Sequence, residues 1–194
     1  MPNKTKSEIT KQILADSLKK LLAQKTLDKI SIKEIVGESG LNRQTFYYHF
    51  TDIYHLVEWI FQKEALAIFY DLEGEEIWQE GLLKLLKYIE QNRIVCKNVI
   101  KSLGHESLLK YFYDDIYALI KKTILSFTKS LNIKKNDSDL LTHYYILSFG
   151  SVIESWTLGR IDQSPEELIE FLDQILQDQM RGTYVRLLED KEKL

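Results

Sequence analysis

The chain has 194 residues and one cysteine, Cys96, so neither an internal disulfide nor a cysteine metal cage can form. Two prolines and eight glycines are too few breakers for a strand-and-turn fold and favour long helices, in one domain or in a small domain joined to a larger one. The net charge of −3 does not advertise nucleic-acid binding, but it is unevenly spread: residues 1–50 hold nine Lys/Arg against five Asp/Glu, and residues 51–194 hold 17 against 24, a basic head on an acidic body.

The N-terminus lacks the apolar run of a signal peptide. From about Thr5 to Gln24 the spacing of Ile9, Ile13, Leu14, Leu18, Leu21 and Leu22 predicts an amphipathic helix. Ser31 with Glu34 is a capping box that starts a second helix, whose Ile32, Ile35 and Val36 are expected to face inward. Gly40 marks a turn suited to left-handed backbone, and Asn42 caps a third helix that ends near Phe50. Thr51 and Asp52 cap a long fourth helix reaching about Tyr70, and Gly74 breaks the chain.

Helices are then expected over Ile77–Glu90, over 93–102 and from His105 to Leu131, followed by a polar loop over Asn132–Asp137. Asp137 or Ser138 caps the next helix, closed by Gly159. Residues 140–159 carry one formal charge, Glu154, but their serines, His143 and two glycines are too polar for a spanning segment, so this reads as a buried helix in a cytoplasmic protein. Ser164-Pro165-Glu166-Glu167 is a strong helix start, followed by Leu168, Leu172, Ile175, Leu176, Met180, Tyr184 and Leu187 at helical spacing; residues 189–194 are charged and expected to fray. The total is nine helices, all-α, with no convincing strand.

Residues 31–50 carry the chemistry. Two short helices joined by Ser39-Gly40-Leu41, the second crowded with Arg43, Gln44, Thr45, Tyr47, Tyr48 and His49, have the layout of a helix-turn-helix whose second helix enters the major groove. Phe46 and Phe50 are expected in the core beneath it. The four histidines are scattered, and no HExxH, Gly-x-Ser-x-Gly or phosphate-cradling loop is present, so neither catalysis, a cofactor nor a metal is expected.

Thr45-Phe-Tyr-Tyr-His-Phe50, preceded by Gly40-Leu41 and set in an all-helical chain, resembles the TetR family of transcriptional regulators. The resemblance implies a DNA-binding head over 5–68 and an effector-binding and dimerisation domain over 71–188. It puts Arg43 and Gln44 where the family reads base edges, and Thr45, Tyr47 and His49 where it grips phosphates and the thymine methyl. Tyr48 is placed for either task. Ile53 stands where the family usually has a phosphate-pairing lysine, and Lys29, Lys33 or the N-terminal Lys4 and Lys6 are candidates to compensate, with Ser31 beside them at the start of the second helix.

The same resemblance implies a dimer built by the last two helices. Ser148, Ser151, Ser155 and Gly159 are small residues three and four apart, and Leu168, Leu172, Leu176 and Met180 form an apolar stripe; the plain alternative is that both helices pack inside one chain. Tyr111, Tyr117, Tyr144 and Trp156 are candidates to line an effector pocket, or else ordinary core. Arg43-Gln-Thr-Phe-Tyr47, Trp59-Ile-Phe61, Trp156–Gly159 and Ser164-Pro-Glu-Glu167 are similar to the subgroup that contains regulators of dihydroxyacetone kinase operons. The expected partners are a double-stranded DNA operator, a second copy of the chain and a small-molecule or protein effector, with no membrane. The first reading is a repressor released by the effector; the second is an activator or adaptor controlled by a partner protein.

Overall fold

The computed structural model describes residues 5–69, 72, 77–128 and 135–192. Among them the chain is helical and has no strand: α1 (Lys6–Leu22), a 3-10 turn (Leu27–Lys29), α2 (Ile32–Ser39), α3 (Arg43–His49), α4 (Ile53–Ile60), α5 (Leu82–Gln91), α6 (Arg93–Thr128), α7 (Lys135–Thr157) and α8 (Pro165–Glu192). Gly104, at φ 69° and ψ 166°, breaks α6 into the two rods anticipated on either side of it, which makes nine helical segments among the described residues. Gly74, Lys4 and the start of the polar loop before α7 lie outside the described residues, and α7 begins at Lys135, ahead of the expected caps. The fourth helix reaches Phe69 but loosens after Ile60 into wider and then tighter turns. The last helix does not stop at 188 but continues to Glu192.

Two compact units form: Met1–Ala67 with Asn92–Phe112, and Ile68–Gln91 with Tyr113–Leu194. In the first, Leu14, Leu18 and Leu22 of α1 bury with Ile35, Val36, Phe46, Phe50, Leu56, Val57 and Ile60. Of the expected stripe on α1, Ile9 and Ile13 stay exposed, because burial on α1 begins only at Leu14, in the later turns that pack with α2, α3 and α4. The first part of α6 is tied to this unit: Asn98 donates Nδ2–H to the Leu22 carbonyl (2.7 Å), and Ser102 donates to Asp28 Oδ1 (2.8 Å) while accepting from the Asp28 amide.

The second unit's core is Trp78, Leu82 and Leu86 with Ile124, Tyr145, Phe149 and Trp156, closed by Leu168, Leu172, Leu176 and Met180. This corrects the expected dimer stripe. Those four α8 residues fill the core of their own protomer, since they meet the apolar faces of α5 and α7 there; among the described residues of α8, Phe171, Ile175 and Val185 are the large apolar ones left exposed. Nor is α7 buried on all sides, for Leu140, Tyr144 and Leu147 are exposed in one row with Ser151. A Cβ on Gly81 would stand 2.6 Å from the Phe69 ring, so only glycine permits that approach. Among the described residues no helix is long and apolar enough to cross a membrane.

Candidate nucleic-acid interface

The site is built from cap chemistry. Ser31 Oγ accepts from the Glu34 amide, and the Glu34 carboxylate takes the Ser31 amide (2.9 Å) and hydroxyl (2.9 Å), so α2 begins with a closed reciprocal cap. The Lys25 ammonium, paired with the same carboxylate, and then the Ser31 amide and hydroxyl hold Glu34 well down, at about 2. At the other end Gly40 adopts φ 69° and ψ 12°, a conformation that a side chain makes costly, and the Leu41 amide reaches back to the Val36 carbonyl at 3.1 Å. Asn42 then starts α3, its Oδ1 taking both the amide (2.8 Å) and the hydroxyl (3.1 Å) of Thr45.

This fixed turn aims α3 so that its two chemistries separate. Phe46 and Phe50 are fully buried, as the pattern requires. Arg43 and Gln44 are exposed, Tyr47 is 58% exposed and Tyr48 83% exposed. The Tyr47 ring stands edge-on to Phe46 (5.7 Å, 86°), and the Tyr48 ring edge-on to His49 (4.9 Å, 86°), so the exposed aromatics are braced from below. His49 is half-buried, and that burial, with the nearby Lys11 ammonium, lowers it from the ordinary histidine value. It therefore offers a neutral N–H donor rather than a full charge at neutral pH.

Ser31 and Lys33 flank this surface at the start of α2, both exposed, with the Ser31 hydroxyl already engaged in the cap. Several neighbouring cations are neutralised, Lys20 by Glu38 (3.0 Å) and Lys19 by Glu64 (2.8 Å). Lys29, Lys33 and Arg43 enter no ion pair among the described residues. Ile53, in the position of the family's lysine, is half-buried at the first turn of α4.

A fold match and two family models settle what this arrangement belongs to. Residues 14–60 match the model described as bacterial regulatory proteins of the tetR family, and residues 76–178, more than half of the chain, match the model of a transcriptional regulator C-terminal region. The chain belongs to the TetR family of transcriptional regulators. It is 31% identical over 112 residues to the HTH-type dhaKLM operon transcriptional activator DhaS of Lactococcus lactis subsp. lactis, a match covering 56% of this chain and 60% of that protein's length. Among solved structures it is similar to a dihydroxyacetone kinase operon activator DhaS (TM-score 0.70, 23% identity, 89% of this chain and 97% of that one). A TetR transcriptional regulator from Streptococcus agalactiae shares the fold as well (TM-score 0.60, 20% identity, 85% and 92%).

The other expected sites of this TetR-family chain are placed differently. Trp156 is fully buried and donates its indole N–H to the Gln163 carbonyl (2.8 Å), so it closes the α7–α8 connection as a core residue instead of lining a pocket. Tyr144 is exposed and accepts from Gln179 Nε2 (3.1 Å). Tyr117 is half-buried and donates to Asp139 Oδ1 (2.9 Å), which raises the phenol while the Lys121 ammonium and this bond lower Asp139. The side chain of Tyr111 lies outside the described residues. Among these residues Tyr117 alone joins a polar cluster, stacked on Tyr113 (5.8 Å), which is in turn hydrogen-bonded to His143.

The residue that sequence reasoning missed is His55, in the first turn of α4, which gives its amide to the N-cap Asp52 and takes the Thr51 amide on Nδ1 beside the end of α3. Its signal was available: Asp52 stands three residues before it, the spacing of an N-cap and its reciprocal partner.

Proposed function

We propose that this regulator binds a palindromic operator in the cytoplasm as a homodimer, through α3 of each copy. What supports the reading is the sorting of α3 into a buried aromatic face and an exposed face of Arg43, Gln44, Tyr47 and Tyr48 on a helix capped at both ends. Arg43 has the fork to take guanine O6 and N7, and Gln44 the amide to pair with adenine. Thr45, Tyr47 and His49, with Ser31 and Lys33 at the start of α2, offer neutral and cationic donors to the phosphates on either side, while Tyr48, 83% exposed, is free for either kind of contact. The head over 5–68 carries this function, and the region over 71–188 carries dimerisation and the effector response.

The dimer face we assign to the exposed row of α7, Leu140, Tyr144, Leu147 and Ser151, with Phe171, Ile175 and Val185 of α8. Most of these are apolar side chains of α7 and α8 that stay exposed in the protomer, and two operator half-sites require two heads about 34–36 Å apart. Ser148, Ser155 and Gly159 lie on the same helix or at its end, where small side chains allow close approach.

Repression relieved by an effector is the first reading of the sign. Activation is the second, favoured by the likeness to a protein described as an operon activator. Fluorescence anisotropy on DNA selected from a random pool tests the proposal. Tight binding of two subunits per duplex that falls steeply with salt, and that is lost in Arg43→Ala and Tyr47→Ala, supports it. A stable complex with another protein and no selection of any DNA sequence overturns it.

A further inference from the structure

Five helices among the described residues begin with a side chain that takes the amide three residues on: Thr5 with Glu8, Ser31 with Glu34, Asn42 with Thr45, Asp52 with His55, and Ser164 with Glu167. A glutamate in the third helical position answers the helix dipole and can reach back to close the cap. It stands there in α1, α2 and α8, and in α2 and α8 it does close the cap. In α3 and α4, the recognition helix and the one that follows it, the carboxylate is missing and Thr45 and His55 stand in its place.

In α4 the substitute reaches back one residue further, to the amide that precedes the N-cap Asp52. The His55 amide donates to Asp52 Oδ1 (2.8 Å), and His55 Nδ1 accepts the Thr51 amide (3.3 Å), with the Thr51 hydroxyl 3.4 Å from the same nitrogen. The ring lies edge-on to Phe50 (5.4 Å, 87°), the buried residue at which α3 ends. An imidazole whose Nδ1 accepts carries its proton on Nε2. His55 is exposed, and no described group takes up Nε2. A fixed N–H donor open to solvent therefore sits beside the recognition helix, at a helix start whose third side chain carries no carboxylate.

We propose that His55 is a DNA-backbone ligand, holding the Thr51 amide with Nδ1 and giving its Nε2–H to a phosphate next to the groove that α3 enters. The proposal rests on the DNA-binding reading above and adds to it a contact from α4. A contact of this kind positions the protein without reading sequence, so its loss weakens binding equally on cognate and scrambled duplexes.

The test separates capping from phosphate contact, because glutamate is the better cap and the worse neighbour of a phosphate. Full-length protein, wild type and His55→Ala, His55→Gln and His55→Glu, is titrated onto a fluorescent duplex selected by the wild type and onto a scrambled one, and each variant is melted. The expected result is binding about tenfold weaker on both duplexes for His55→Ala. His55→Gln, which keeps an acceptor and a donor, stays close to wild type, and His55→Glu binds more weakly than His55→Ala although its melting temperature equals or exceeds that of the wild type. If Arg43→Ala abolishes selective binding while His55→Ala and His55→Glu bind as the wild type does, the proposal is overturned and the DNA-binding reading stands. Loss of binding in step with loss of melting temperature across the three variants overturns it too, by making His55 a cap alone. Wild-type protein that binds neither duplex overturns both.

Discussion

Beside Phe46 in the first unit, the large exposed side chains are Tyr47 and Tyr48, each carrying a hydroxyl; on α7 and α8 of the second, Leu140, Leu147, Phe171, Ile175 and Val185 carry no polar group, and among the large exposed side chains described there only Tyr144 brings a hydroxyl to that face. The two units solve different problems with the same helical material. The first holds a seven-residue helix at a fixed angle, which α3 is far too short to do by itself, so its ends are tied by Asn42, Gly40 and the reciprocal caps on either side. The second is made mostly of longer helices that bury a shared apolar core, and its outward apolar row is the face proposed above for a second copy.

Large-to-small changes in the two cores are the strongest way to break this contrast. Phe46→Ala and Trp156→Ala each remove a fully buried ring, and each is expected to cost about 3–5 kcal/mol. Urea unfolding followed by circular dichroism measures both. A cost near 1 kcal/mol for Phe46→Ala would mean that the caps, not the aromatic core, hold α3. Next in size is a charge pair on the exposed row: Leu147→Glu with Phe171→Glu is expected to leave a folded monomer, shown by sedimentation equilibrium, because a carboxylate pressed into an apolar interface must give up its hydration. A dimer that survives the double change would move the interface elsewhere.

Gly40→Ala sharpens the comparison from the side of the turn. The left-handed backbone at φ 69° costs a side chain about 1–2 kcal/mol, although a Cβ there would touch nothing within 4 Å. The expected signature is a small loss of stability with a larger loss of DNA affinity, since the turn sets the angle of α3. Equal losses would show that the turn only stabilises.

How much of this was legible in the sequence follows the range of the forces involved. The caps, the left-handed turn at Gly40 and the burial of Phe46 and Phe50 are local, and they were readable from residues three or four apart. The direction of the α8 stripe was not. Leu168, Leu172, Leu176 and Met180 form a good apolar face by spacing, but spacing does not say whether that face meets α5 and α7 of its own chain or a second chain. Ile9 and Ile13 belong to the same class: α1 is amphipathic along its length, yet its partners reach only its later turns. Trp156 was open to either a pocket or the core by its spacing, and its burial and its indole bond to the Gln163 carbonyl put it in the core. His55 is the opposite case, a local signal three residues from Asp52 that lies in the spacing itself and not in any cluster of histidines.

The smallest effect is the pH response of the α2 cap, and its sign follows from the lowered Glu34. Lys25 first, then the Ser31 amide and hydroxyl, favour the charged carboxylate in the folded chain, bringing it from an ordinary 4.5 to about 2. A group lowered on folding stabilises the fold above its unfolded value, and that contribution fades as pH falls through the interval between the two, here from about 4.5 down to about 2. Glu34 is solvent-facing, so screening keeps the effect modest. Glu34→Gln keeps an acceptor for the Ser31 amide but cannot titrate. The expected result is a wild-type melting temperature that exceeds the variant's at pH 7, with the gap narrowing between pH 4.5 and pH 2. A gap that stays constant across that range would assign the cap's value to its hydrogen bonds and none of it to the charge.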